Sequence, residues 1–346
     1  MKIALKITPQ RSTQYSNMTQ KLAAPELLAS PLAPSIRDIE SVTLAGQPYL
    51  LLTLEDGSDK SNTGYSAIGA ILARLGATSE AYEYFEQIGS LTGPFLRPLD
   101  RPFEPFVPIE MAEARRYKGK TNELFTQVLI NTAIFAGAFR EQLTGRLRIL
   151  DPLAGGGTTL FLALACGYDA FGIEQSRQDV ESTALFVRQY LNSEHIPYKE
   201  RDERGRRAGR RYQFEIGKKG EKGETRSLVL AHGDTAQADA HLLEVPGGPH
   251  MHAIVADLPY GIQHFGEISD LLARALPRWQ RLLLPGGSLA LAWNATHIER
   301  AAMEQCIEQY SSLRSCCEPP YTQFVHTVDR VIKKRDIIVA VDAKHS

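Results

Sequence analysis

"ILDPLAGGGTTL", residues 149–160, decides the fold. "RLRILDPLA" reads as a strand ending on Asp151, and "TTLFLALACGY" as an apolar helix. Three glycines join them. Strand, glycine turn, helix is the arrangement in which a cofactor approaches the backbone closely. The loop matches neither G-x-G-x-x-G nor the lysine-bearing phosphate loop, and it holds no basic residue. A polyphosphate is therefore disfavoured. Asp151 points to a ligand that carries positive charge or donates hydrogen bonds; a plain glycine turn is the competing reading.

Outward from this loop, strand and helix alternate from about residue 120. "NELFTQVLINTAIFAGAF" has apolar residues at helical spacing, with Phe125 and Phe135 as core. "DAFGIEQS" is a strand and "RQDVESTALFVRQYL" a helix. "HAIVADLPYG" is a strand, "ISDLLARALPRWQRLL" a helix, "LPGG" a turn and "SLALAWN" a strand. "TQFVHTVDRV" and "RDIIVAVD" are strand-like. Strands separated by helices of this length predict an α/β fold with a mostly parallel, doubly wound sheet. "YQFEI" and "SLVLAH" read as a hairpin inserted in a basic stretch, about residues 195–226.

The first 110 residues read as a smaller α+β domain and a candidate for substrate recognition, with residues 111–346 as the second domain. "SVTLAGQPYLLLTLEDG" predicts two strands about Gly46 and Gln47. "GYSAIGAILARLGA" and "SEAYEYFEQIGS" predict helices, the second capped by Ser79. "GPFLRPLDRPFEPFVP" is too rich in proline for helix and reads as an extended linker.

A net charge of −1 argues against a uniformly basic nucleic-acid binder. The charge is uneven, with eleven Lys or Arg against six Asp or Glu between Lys199 and Arg226. Arg206, Arg207, Arg210 and Arg211 are candidates to grip a phosphate backbone, and a solvated charged loop is the alternative. Cys166, Cys306, Cys316 and Cys317 lack metal-ligand spacing, so no metal is expected. A reduced, cytoplasmic protein follows, with no membrane span and no signal peptide.

Four acids fall at successive strand ends. In such sheets the ligand lies outside those ends, and an acid about 20 residues after the glycine loop takes ribose hydroxyls. Glu174 has that place, next to Gln175. Asp234, followed by Thr235, is placed to accept from an adenine amine, though an Asp there is also an ordinary turn residue. The fourth is Asp257. S-adenosylmethionine, with its sulfonium, ammonium and ribose, fits such a set. The cofactor candidates are Asp151, Pro152, Ala154, Gly155, Gly157, Thr158, Glu174, Gln175, Asp234 and Thr235. Thr121 and Asn122, opening a helix, are candidates for the cofactor's carboxylate or a simple cap.

"LDPLAGGGTT" followed by "DLPYG" resembles the two signature motifs of S-adenosylmethionine-dependent amino-methyltransferases, whose second motif is (D/N/S)-P-P-Y. The form with a final glycine resembles the RNA guanine-N2 branch, which includes tRNA enzymes. "YKGKTNELFTQVLINTA" resembles the segment packing against the cofactor's methionine end. The resemblance covers roughly residues 115–341. It implies a Rossmann-like, seven-stranded methyltransferase sheet and a catalytic group of Asp257, Leu258, Pro259, Tyr260 and Gly261. Asp257 and the Leu258 carbonyl would accept from the amine, Tyr260 would stack on the base, and Gly261 would let the chain pass close to it. Gln263 and His264, which follow the motif, are candidates to touch substrate, and an exposed loop histidine is the other reading of His264. Leu258 departs from the usual proline, but Pro259 restrains it to extended geometry. RNA is the expected partner. Alternatives are a DNA adenine or cytosine amino-methyltransferase, a protein glutamine-amide methyltransferase, and a non-catalytic cofactor-binding scaffold.

Overall fold

The computed structural model describes residues 1–10, 12–55, 62–117, 119–205, 209–221, 223–259, 265–328 and 334–342. The chain forms two compact units, Met1–Glu104 with Cys317–Arg335, and Pro105–Cys316 with Asp336–Ser346.

The smaller unit runs β1 (Lys2–Ile7), α1 (Thr13–Ala29), β2 (Ile36–Leu44), β3 (Gln47–Leu54), α2 (Asn62–Leu72), β4 (Thr78–Ile88) and β5 (Leu91–Pro98). Its strands form one antiparallel sheet in the order β2-β3-β1-β4-β5. The two strands expected about Gly46 are β2 and β3, and the first expected helix is α2. The second expected helix, residues 79–90, is strand β4 instead. Tyr82 and Tyr84 lie on one face, against Ala4, Tyr49 and Leu51. On that face Glu80 pairs with Lys6 and Glu86 with Lys2, both from β1. These cross-strand partners, far away in sequence, outweigh the helix propensity of the glutamates. The proline-rich stretch begins inside β5 rather than as a linker.

The larger unit contains α3 (Glu110–Ala114), α4 (Glu123–Ala136), β6 (Arg148–Asp151), α5 (Thr158–Ala165), β7 (Asp169–Glu174) and α6 (Arg177–Ser193). Then come β8 (Tyr198–Gly205), β9 (Gly209–Gly217), β10 (Thr225–His232), α7 (Ala238–His241), β11 (Met251–Asp257) and α8 (Phe265–Leu282). It ends with β12 (Leu283–Asn294), α9 (Arg300–Tyr310), β13 (Leu313–Ser315) and β14 (Arg335–Asp342). The strands make one sheet, β13-β14-β12-β11-β6-β7-β10-β9-β8. Five neighbours, β12-β11-β6-β7-β10, are parallel. Their centres are continuous apolar runs, such as Ala253–Ala256, because helices cover both faces. α4, α5 and α6 pack on one face; α7, α8 and α9 pack on the other around Trp279 and Trp293. The fold is Rossmann-like and doubly wound. Seven strands carry this plan, and β8 and β9 extend it.

That extension corrects one detail. "YQFEI" and "SLVLAH" do pair antiparallel, as β9 and β10, but β10 also pairs with β7 and belongs to the parallel sheet, so the inserted strands are β8 and β9. Of "TQFVHTVDRV", residues 322–328 form no strand beyond the single His326–Arg335 bridge, and 329–331 lie outside the described residues. Among the described residues no helix is long and apolar enough to cross a membrane.

Asp169, at the start of β7, is buried. Its carboxylate accepts from the Ser227 N–H of β10 at 2.7 Å and from Arg146 Nε and Nη2 at 2.8 and 3.0 Å. Asp169→Ala leaves that backbone donor without its acceptor. Urea unfolding is expected to show a loss of about 2 kcal/mol; an unchanged midpoint would remove Asp169 from the account of the sheet.

Candidate active site

In the larger unit the strand order reverses between β6 and β11, and a crevice opens beyond their carboxyl ends. A cavity of about 500 Å³ lies there, lined by residues from the ends of β6, β7, β10 and β11. Asp151, Glu174, Asp234 and Asp257 all line it, as the strand-end series requires. Pro152, Ala154, Gly155, Thr158, Gln175, Thr235, Leu258, Pro259 and Thr121 line it too.

The glycine loop is shaped by its neighbours. Gly155 and Gly157 have φ of +49° and +91°, the left-handed region where a side chain is strained. Gly157 caps α5 and Asn122 caps α4, its Oδ1 accepting from the Phe125 N–H at 3.1 Å. Neither is among the cavity's lining residues. The Glu174 carboxylate accepts from the N–H of Gly155 at 2.9 Å and of Ser176 at 2.7 Å. Glu174 therefore anchors the loop as well as facing the cavity. Asp234 Oδ1 accepts from the Ala236 N–H at 3.0 Å, and Thr235 Oγ1 from Trp279 Nε1 at 2.9 Å.

Asp151 is 4% exposed, and its Oδ1 accepts from the Leu153 N–H at 3.0 Å. Burial pushes its carboxyl from 3.8 up to about 7, against the pull of Thr159 and the Leu153 N–H and with added repulsion from Asp257 and Glu174. The Leu258 N–H donates to the Ala292 carbonyl at 2.8 Å, which holds the residue after Asp257 to β12. Thr121 Oγ1 donates to Asp257 Oδ2 at 2.6 Å, which joins the residue expected to bind the cofactor to the expected catalytic acid.

Sequence alone assigns several residues no role of their own. Tyr117 lies against the loop, its hydroxyl 2.7 Å from Thr158 Oγ1. A Cβ on Gly156 would fall 2.3 Å from the Tyr117 ring, so the middle glycine makes room for that tyrosine. Glu267, Leu271 and Arg274 of α8 also line the cavity. Their i, i+4, i+7 spacing marks one face of a helix, a signal present in the sequence. Arg274 is the one cation among the described lining residues, with its Nη1 3.4 Å from Asp234 Oδ2.

Tyr260, Gly261, Gln263 and His264 lie outside the described residues, as do Arg206 and Arg207. Arg210 and Arg211 are not presented as a phosphate grip. Arg210 pairs with Asp202 and Glu181. Arg211 is 7% exposed; it pairs with Glu203 and donates to the carbonyls of His241 and Glu244. On an antiparallel hairpin, charges facing each other across strands neutralise one another before any ligand arrives. Among the described residues no cluster suits a metal ion.

No family model and no curated protein matches the chain. Solved structures similar to it include TrmN from Thermus thermophilus, 12% identical over 99% of this chain and 99% of that one, with a TM-score of 0.44. A methyltransferase from Pyrococcus furiosus is 14% identical over 66% and 87%, with a TM-score of 0.38. The rRNA methyltransferase AviRa from Streptomyces viridochromogenes is 12% identical over 66% and 88%, also at 0.38.

Two outcomes follow from this geometry. Gly156→Ala is expected to displace Tyr117 and cost about 1–3 kcal/mol of stability, read by thermal unfolding; an unshifted transition would mean the ring yields freely. Asp151 binds its proton more tightly folded than unfolded, so its contribution is present below about pH 4 and is lost as pH rises toward 7. Asp151→Asn should therefore gain stability relative to wild type at pH 8 compared with pH 4. A difference independent of pH would contradict the burial assignment.

Proposed function

We propose that this chain transfers a methyl group from S-adenosylmethionine to an exocyclic amine of a nucleic-acid base, with guanine N2 in RNA as the preferred target. One observation carries the reading: four strand-end acids and Glu267 surround a single cavity at the reversal of strand order, against one arginine. That acceptor set suits a ligand with positive charge and many hydrogen-bond donors. Asp151, held near neutrality by burial, gains most from such a partner. Glu174 is placed for ribose hydroxyls and Asp234 for an adenine amine. When bound, the cofactor supplies an activated methyl group.

The chain's own residues then have defined tasks. An exocyclic amine is a poor nucleophile because its lone pair is delocalised into the ring, and its nitrogen gains positive charge during attack. The Asp257 carboxylate favours that charge, and the Leu258 carbonyl is a second acceptor. Pro259 keeps Leu258 extended, doing the work of the proline more usual at 258. Tyr260 stacks on the base, worth about 1–3 kcal/mol, and Gly261 gives it room. Asp257 in the first position favours a base amine over a glutamine amide, whose motif begins with Asn. The smaller unit is the proposed recognition module. Arg210 and Arg211 are tied into ion pairs of the hairpin, which leaves the smaller unit as the stronger candidate for that role.

Labelled S-adenosylmethionine offered to separate RNA, DNA and protein pools, from cells lacking the gene, tests this. Label is expected in RNA as N2-methylguanine. Asp257→Ala should lower transfer by about 100- to 1,000-fold, with cofactor affinity within threefold. Label confined to DNA or protein would overturn the substrate, and near-normal turnover by the variant would overturn the mechanism.

A further inference from the structure

We propose that Thr121 is a positioning residue that sets the orientation of the Asp257 carboxylate, and is not a ligand for the cofactor; the inference rests on the methyl-transfer reading above. The two residues are held by different elements. Asp257 ends β11, and Thr121 directly precedes the Asn122 cap of α4. α4 is seated by Phe125, Val128 and Leu129, all buried, and it packs on β11 and β12. Both backbones are thus fixed by the same packing, which leaves the carboxylate's rotation to be set by its own contacts. Thr121 Oγ1 supplies one at 2.6 Å.

The surroundings make that contact matter. Asp151, Glu174, Asp234 and Glu267 share the cavity with Asp257, with Arg274 as the described cation and the Tyr117 phenol beside them. Several carboxylates sharing one cavity gain by turning apart, which leaves the Asp257 rotamer open to competing orientations. A donor from outside the acidic ring opposes that turn. Threonine is suited to the task because β-branching restricts χ1 and aims the hydroxyl. A hydroxyl whose proton is committed to Asp257 is also poorly placed to donate to a second carboxylate. That separates this assignment from the cofactor-carboxylate role expected from sequence.

Thr121→Val and Thr121→Ser, compared in the full chain, decide the matter. Thr121→Val is expected to lower kcat by about 10- to 100-fold, the scale of a misplaced catalytic group. KM for RNA and the calorimetric Kd for S-adenosylmethionine should stay within twofold. Thr121→Ser keeps the hydroxyl and should recover kcat to within threefold of wild type. A Kd raised tenfold or more with kcat retained would overturn the proposal in favour of cofactor binding. A loss in Thr121→Ser with kcat retained in Thr121→Val would overturn it in favour of a packing role for the threonine methyl. If wild type transfers methyl to no pool, the functional reading fails, and urea unfolding of Thr121→Val, Asp257→Asn and the double variant still tests the contact. Non-additive midpoints would support it, and additive midpoints would overturn it.

Discussion

The Glu174 carboxylate joins two parts of the site that the chain makes separately. One oxygen takes the Gly155 N–H and the other the Ser176 N–H. Backbone donors facing a cavity cannot be left without acceptors. The acid that ends β7 thus supplies a fixed acceptor for the glycine loop after β6. The Ala154 N–H reinforces the join by donating to the Ile173 carbonyl at 2.9 Å. With the loop fixed in this way, α5 begins where it must, Thr158 meets Tyr117, and Asp151 is sealed beneath. The acid read from sequence as a ribose ligand is equally a structural brace. Its removal would disturb the loop before any ligand is considered.

The larger unit was legible because its signals are local. Apolar strands buried on two faces, helices at their own period and acids at strand ends can each be read within a dozen residues. The misread segments depend on partners that no local window contains. "SEAYEYFEQIGS" has helix-forming glutamates, yet it is a strand because β1 pairs along it, its tyrosines pack on Ala4, Tyr49 and Leu51, and Lys6 and Lys2 meet Glu80 and Glu86. Tyr117 opens the segment that resembles the cofactor-packing stretch, but its own role comes from Gly156, in a loop it meets only in the fold. Thr121 was noticed for its place before a helix, but its partner lies at the end of a distant strand. In each case the residue type was visible and the partner was not.

The hairpin shows why a count of basic residues misleads. Tyr212, Phe214 and Ile216 of β9 face inward, which puts Arg211 and Gln213 on the opposite face of the sheet. Register then places Arg211 opposite Glu203 and Arg210 opposite Arg204, one step from Asp202. Arg188 of α6 adds a bidentate pair with Glu200. A stretch that is basic by composition becomes an ion-paired edge. Such an edge resists pairing with other strands.

The chain leaves the smaller unit at Glu104, re-enters it at Cys317 and departs again after Arg335, between β13 and β14 of the larger sheet. A module attached by one linker can be lost, swapped or duplicated in a single genetic event. Here the exchange would have to replace two separate stretches of gene at once, and the second interrupts a pair of strands. The two units are therefore inherited together. Change in the smaller one is then favoured by substitution within it over wholesale replacement.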